Sequence, residues 1–199
     1  MNAEIITAVA LGIGLSASAG FRVFIPMLVA SVAAHFNIIP LSDSFAWLGS
    51  WPAMISFGVA TVVEVLAYYI PFVDNLLDTI TTPMAVGAGT LLMTSVLPVD
   101  NELMKWIMGF VVGGGAAATM QSGSALSRFA SSKFTAGTAN PVVSTGENVV
   151  ALGASVSALA IPVVVAVIFI IIAILIFSRM AAWRRHKKAR QREARQSGD

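Results

Sequence analysis

The sequence contains no cysteine, which excludes a disulfide framework, a thiolate metal site and a cysteine nucleophile, and leaves the redox compartment unread. Charge is scarce: 11% of the 199 residues are Asp, Glu, Lys or Arg, whereas 57% are hydrophobic. Mean hydropathy is +0.83. A soluble globular domain could not keep that balance in water, so a soluble multidomain enzyme is excluded and an all-α integral membrane protein is expected. A span takes about 20 apolar residues, so the length allows a compact bundle of about five to six transmembrane helices and little else. Also missing are the P-loop, G-x-S-x-G, H-E-x-x-H and dinucleotide-binding patterns. Only two histidines occur, His35 and His186, far apart in sequence. The expectation is a protein that is not an enzyme and carries no cofactor or metal.

What charge there is lies unevenly. Eight of the twelve basic residues fall between Arg179 and Arg195, against Glu193 and Asp199, so the tail is net +6 while residues 1–178 are net −4. The chain reads as one transmembrane domain over 1–178 followed by a basic tail over 179–199. Trp183 with Arg184, Arg185, Lys187 and Lys188 sets an aromatic anchor and a basic cluster just after the last apolar run, which by the positive-inside rule makes the tail cytoplasmic. With five crossings the N-terminus lies outside. Ile5 to Leu15 and Ala17-Ser18-Ala19 imitate a signal peptide, but the first residues carry no positive charge and apolar sequence resumes at Phe21. The segment is therefore expected to stay in the membrane.

Apolar runs define five blocks, 5–36, 52–72, 80–98, 104–121 and 149–178, all read as helices because backbone groups in lipid must be satisfied within the segment. The first is broken by Ser16-Ala17-Ser18-Ala19-Gly20-Phe21-Arg22, with Pro26 just beyond, and reads as two half-helices. The last runs without charge from Val149 to Phe177, about 43 Å of helix against a hydrocarbon core of about 30 Å. It must tilt, kink at Pro162 or begin as a separate helix. Three starts are marked: Thr82 before Pro83, Asp100 ahead of Leu103, and the S-x-x-E box Ser144 to Glu147. Val9-Ala10-Leu11-Gly12 recurs as Val150-Ala151-Leu152-Gly153, each followed by Ile-Pro. Chance explains this as well as two related halves with broken helices.

Arg22 and Glu64 each interrupt an apolar stretch, where a central charge costs about 2.5 kcal/mol or more. Either Glu64 is a proton or cation site with Arg22 balancing it, or the two form a structural ion pair that sets register. Asp74 and Asp78 fall at i, i+4, so an intervening cation or Arg is one reading and solvated carboxylates at the boundary the other. The polar stretch from Gln121 to Asn148 is expected either to re-enter the membrane near 122–148, with Asn140 lining a cavity, or to form a solvated loop ending in the Glu147 cap. Ser18, Arg22, Glu64, Asp74, Asp78, Asn140 and Glu147 are thus the candidate pathway residues.

Small residues at four-residue spacing, Ala8, Gly12, Ser16 and Gly20, then Gly109, Gly113 and Ala117, let helix backbones approach closely. Packing within one chain is the favoured reading and a homodimer the alternative. For the tail, a topology signal comes first, anionic lipid at Arg184, Arg185, Lys187 and Lys188 second, and nucleic acid last, because charge without a reading fold is nonspecific.

Ser18 to Pro26, Glu64 with Tyr69 to Asp78, and Asn140 to Glu147 together resemble the hallmarks of a bacterial membrane family, the domain of unknown function number 4126. The resemblance spans about residues 5–175 and omits the tail. It implies a multi-pass protein of the bacterial inner membrane and assigns no activity. Two functions are carried forward: a small transporter or channel-like protein with a polar pathway between broken helices, and a noncatalytic membrane scaffold whose charges set packing and whose tail binds lipid or a cytosolic partner.

Overall fold

The computed structural model describes residues 2–135 and 140–196, and every regular element among them is helical. In order these are α1 (Asn2–Ala19), α2 (Phe24–His35), a 3-10 segment (Asp43–Gly49), α3 (Trp51–Ala67), α4 (Pro71–Val96), α5 (Glu102–Met108), a π-helical segment (Gly109–Gly114), α6 (Gly115–Thr135), α7 (Asn140–Ala160) and α8 (Pro162–Gln196). Three stretches, Glu102–Phe129, Pro141–Ala160 and Pro162–Arg179, are long and apolar enough to cross a membrane singly. The 3-10 segment with α3, bent by 61°, makes a fourth if counted as one span. Among the described residues Ala3–Ala19, Phe24–His35 and Ile80–Val96 are shorter apolar helices, the first two being the halves into which a break divides the first block.

α1 forms the centre, packed against α4, α6, α7 and α8. Its second half is buried almost all round, which large side chains would prevent, and the small-residue stripe is the reason. A Cβ on Gly20 would lie 2.6 Å from Met120 Cβ and 2.8 Å from Gln121 N, and one on Gly14 would lie 2.8 Å from Ala158 Cβ. Ser16 Oγ donates to the Gly89 carbonyl at 2.7 Å, and Gly12 lies against Met93 and Val96 of α4. The second stripe is settled in the same way. Gly109 meets Thr94 and Gly113 meets Gly89 and Met93, so the π-helical segment seats against α4 of its own chain. Backbones that close leave no room for a second copy at this stripe.

α2 ends in a Schellman turn. Asn37 takes φ 55°, its N–H donates to Ala34 O at 3.0 Å, and the Ile38 N–H donates to Ala33 O at 2.8 Å. Asn tolerates the left-handed conformation that the motif requires. Ser31 Oγ donates to Leu48 O at 2.6 Å, and His35 Nδ1 bonds Gly49 O at 2.8 Å while its ring meets Trp51. These bonds fasten the bend before α3 to α2, and α3 packs on α2 and the 3-10 segment.

Three expected starts move. Pro83 lies inside α4, which begins at Pro71, so Thr82 is a helix-interior residue and not the start of a helix; the helix loses one N–H at Pro83 and continues on its packing. Asn101 rather than Asp100 caps α5, its side chain accepting from Met104 N at 2.9 Å. α7 begins at Asn140, one turn before Ser144, so Ser144 to Glu147 is helix interior and not a capping box. The polar stretch is largely helical too, with α6 reaching Thr135, and residues 136–139 lie outside the described set. The break before Pro162 is present, α7 ending at Ala160. Both copies of the recurring tetrapeptide precede a helix break, yet Gly12 is tightly packed whereas Gly153 faces nothing within 4 Å. Their surroundings are therefore not equivalent.

Candidate functional site

Ending α1 at Ala19 and starting α2 at Phe24 leaves a four-residue break inside the protein, and the free N–H groups of α2 need partners there. Glu64, one turn before the end of α3, supplies both: Oε1 accepts from Val23 N at 2.8 Å and Oε2 from Phe24 N at 3.0 Å. A carboxylate across the first N–H groups of a helix also meets the positive end of its dipole.

Arg22, in the break itself, is 1% exposed. Its Nη1 donates to Glu147 Oε2 at 2.8 Å and to Phe21 O at 3.0 Å, its Nε to Asn148 Oδ1 at 2.6 Å, and its Nη2 to Ser144 O at 3.2 Å. Glu147 is the hub of the cluster. It also pairs with Arg128, whose Nε donates to Oε1 at 3.2 Å and whose Nη2 donates to Oε2, and it accepts from the Ser124 hydroxyl. Beside both guanidiniums stands the Tyr68 ring, with Arg22 Cζ 3.9 Å and Arg128 Cζ 4.2 Å from its centroid. Such contacts gain strength when water is excluded. The Tyr68 hydroxyl donates to Thr81 Oγ1 at 3.3 Å, which also accepts from Gln121 Nε2 at 3.2 Å and itself donates to Leu77 O at 2.8 Å.

Two arginines and two glutamates thus join the α1–α2 break to α3, α6 and α7 with formal charges that cancel. Of the expected pathway residues, Arg22, Glu64 and Glu147 meet here. The sequence left open whether Arg22 pairs with Glu64; in the structure Arg22 donates to Glu147, and Glu64 accepts from the α2 backbone. Ser18 is buried, and its hydroxyl donates to Gly14 O at 2.8 Å. Asp74, Asp78 and Asn140 have described backbones within α4 and α7, but their side chains lie outside the described set, as do those of Arg184, Arg185, Lys187 and Lys188 on α8.

Arg128, Ser124, Asn148 and Tyr68 escaped the sequence reading. A signal for two of them exists: Gln121, Ser124 and Arg128 recur at helical spacing and all three are buried. Such a polar stripe marks a helix whose polar face turns inward.

Two grooves flank the cluster. One of about 560 Å³ runs between α3 and α4, walled by Val59, Ala60, Val63 and Met84, with Glu64 and Thr81 among its lining. The other, of about 390 Å³, lies beside α6, α7 and α8 and is lined in part by Ser124 and Glu147. Among the described residues no group of three or more His, Asp or Glu could hold a metal ion.

A family model described as "Domain of unknown function (DUF4126)" matches residues 9–182, and the chain belongs to that family. No curated protein and no solved structure matches it.

Proposed function

We propose that this member of the family is a small membrane transporter, without enzymatic activity, in which Glu64 is the ligand-binding carboxylate. The observation that carries the reading is the position of Glu64. It closes a helix break inside the protein and also reaches the groove between α3 and α4. Irregular backbone at membrane depth is tolerated only where it is buried in protein or lines a cavity, and broken helices with charged partners are a common architecture of substrate sites in transporters. Arg22, Arg128 and Glu147 would then form the fixed frame against which α3 moves, since α3 is bent by 61° at its start and ends in a break before Pro71. The setting that fits is the bacterial inner membrane with the tail cytoplasmic, where Arg184, Arg185, Lys187 and Lys188 would meet anionic lipid. A homodimer would have to use a face other than the Gly109 and Gly113 stripe.

The test is proton flux into vesicles of purified protein, driven by an imposed potassium diffusion potential and read with an internal pH dye. The expected result is flux above that of protein-free vesicles, with Glu64→Gln falling to the protein-free level while remaining folded. Unchanged flux in Glu64→Gln would count against this role for the residue.

A second reading, a noncatalytic scaffold, is favoured by one observation: the formal charges of Arg22, Arg128, Glu64 and Glu147 cancel within the cluster, so it needs no substrate. In that case deleting residues 184–199 abolishes function, whereas Glu64→Gln combined with Arg22→Gln is tolerated.

A further inference from the structure

We propose that α1 and α2 form a re-entrant plug: the pair enters and leaves the membrane on the face opposite the tail, closes the bundle from that side and stops at mid-depth with the Arg22 cluster at its tip. The proposal stands on packing and charge placement and does not depend on a ligand at Glu64.

The direction of each helix follows from its contacts. Gly12 of α1 lies against Met93 and Val96 of α4, whereas Ser16, one turn on, meets Gly89, so α1 and α4 run antiparallel. A broken span would carry α2 onward past the break. Here the chain that leaves α2 returns instead to the level of Gly12, where the Ser42 N–H donates to Ser95 O at 2.9 Å, beside Val96. α2 therefore runs back along α1, against which it packs. The next helix starts on the same face, because Gly49, just ahead of α3, is seated against Ala34 and His35 at the end of α2.

α8 supplies the measure of depth. It runs parallel to α1, since Val165 meets Gly14, the Phe169 ring lies 6.3 Å from the Phe21 ring, and Ile176 meets Gly123 on the way to the tail. Phe169 is near the middle of the apolar run from Pro162 to Phe177, so the tip of the hairpin lies about 10–12 Å from either end of it. In a hydrocarbon core of about 30 Å that is the middle. Irregular backbone with a buried charge is tolerated at that depth where protein groups satisfy it, and here Glu147 and Asn148 hold Arg22 while Glu64 accepts from the first N–H groups of α2.

The hairpin is seated without slack. A Cβ on Gly14 or Gly20 would come within 3 Å of Ala158 or Met120, so α1 leaves no gap against α7 and α6 at those levels. Charge separates the two faces as well. Glu4, Asp43, Asp100 and Glu102 are exposed at the end where α1 begins, and Lys105, the Lys or Arg described there, is buried and paired with Glu102. Eight basic residues follow the other end of α8. That bias of Lys and Arg is the one expected of a chain whose ends lie on opposite sides of a membrane.

Because the chain has no cysteine, single-cysteine variants of the full-length protein test the plug directly. Glu4→Cys, Ser44→Cys, Ser197→Cys and Ser18→Cys are placed in sealed vesicles of one orientation and treated with a membrane-impermeant maleimide before and after permeabilisation. Glu4→Cys and Ser44→Cys are expected to label from one side and Ser197→Cys from the other, while Ser18→Cys, just before the tip, stays inert from both. For depth, Phe21→Cys should be joined by a short bis-maleimide to Phe169→Cys and not to Ser178→Cys. Labelling of Glu4→Cys and Ser44→Cys from opposite sides, or of either from the side of Ser197→Cys, overturns the hairpin. Labelling of Ser18→Cys from the Glu4 side overturns the seal. Joining of Phe21→Cys to Ser178→Cys, or to neither partner in folded protein, overturns the stop at mid-depth. None of these readouts uses flux, so the expected pattern without flux removes the transport reading and leaves the plug, and flux with a different pattern removes the plug alone.

Discussion

Glu147→Gln is expected to destabilise the folded protein by about 3–5 kcal/mol, the usual consequence of removing one partner of a buried ion pair. Glu147 pairs with both Arg22 and Arg128, and all three side chains are buried. Without it two guanidiniums stay buried beside the Tyr68 ring and lose the carboxylate that both donate to. Repulsion then adds to the loss of attraction, so the effect should lie at the upper end of that range. Thermal inactivation in detergent, followed by the fraction of monodisperse protein after heating, measures it. Glu4→Gln, on the exposed first turn of α1, is the control and should shift stability by less than about 0.5 kcal/mol.

Gly113→Leu should be nearly as damaging for an unrelated reason. A Cβ at this position would overlap Gly89 O and Met93 Cβ, and Gly89 C would lie 3.0 Å away. Two of those neighbours are backbone, so no side-chain rotation makes room and α4 must separate from the π-helical segment. Overpacking of that kind costs about 3 kcal/mol, and more where the backbone cannot shift. Gly87→Ala is the contrasting case on the same helix pair. Nothing lies within 4 Å of its Cβ, so the substitution removes backbone freedom from a helix interior and should stabilise by up to about 1 kcal/mol. Parallel thermal unfolding of the two variants separates close packing from helix propensity.

How far the sequence could be read depends on which physical signal each feature leaves. Long apolar runs and scarce charge announce a membrane-compatible helical protein, and the interruption at Ser16 to Arg22 announces a broken helix because small polar residues and Arg cannot continue an apolar span unaided. For the stretch from Gln121 to Asn148 the same rules left two readings open, a re-entrant segment and a solvated loop. In the structure Ser124, Arg128, Ser144, Glu147 and Asn148 lie on two helices and, through Glu147, Asn148 and the Ser144 carbonyl, meet Arg22. Composition cannot tell a polar face turned to water from one turned to a buried cation; helical spacing could have. The capping motif failed likewise. Ser144 and Glu147 have the spacing of a cap and are also one turn apart on a continuing helix, and the buried arginines decide between the two.

The partner of Arg22 lay beyond the sequence altogether. Arg22 and Glu64 are the two evident intramembrane charges of the sequence, which leaves open whether they pair. The structure instead gives Glu64 to the two N–H groups opened by the break, a demand that no side-chain inventory shows, and brings Glu147 from 125 residues away to Arg22. Glu64 thereby takes backbone N–H groups as its hydrogen-bond partners while lining the groove, which is the basis of the proposed function. It also explains why neutralising Glu64 should be gentler on folding than neutralising Glu147: an amide oxygen at that position still accepts one backbone N–H.

The buried cluster is most directly tested by a double-mutant cycle between Arg22 and Glu147, using Arg22→Met, Glu147→Leu and the combination, with unfolding of the purified protein in detergent as the readout. If Arg22 and Glu147 meet at the helix break, the double variant will be less destabilised than the two single variants together, with a coupling of about 1–3 kcal/mol, because the second substitution removes a group that the first had stranded. Additivity within about 0.5 kcal/mol would mean that the two residues do not touch, and the account of how this broken helix is closed would be wrong.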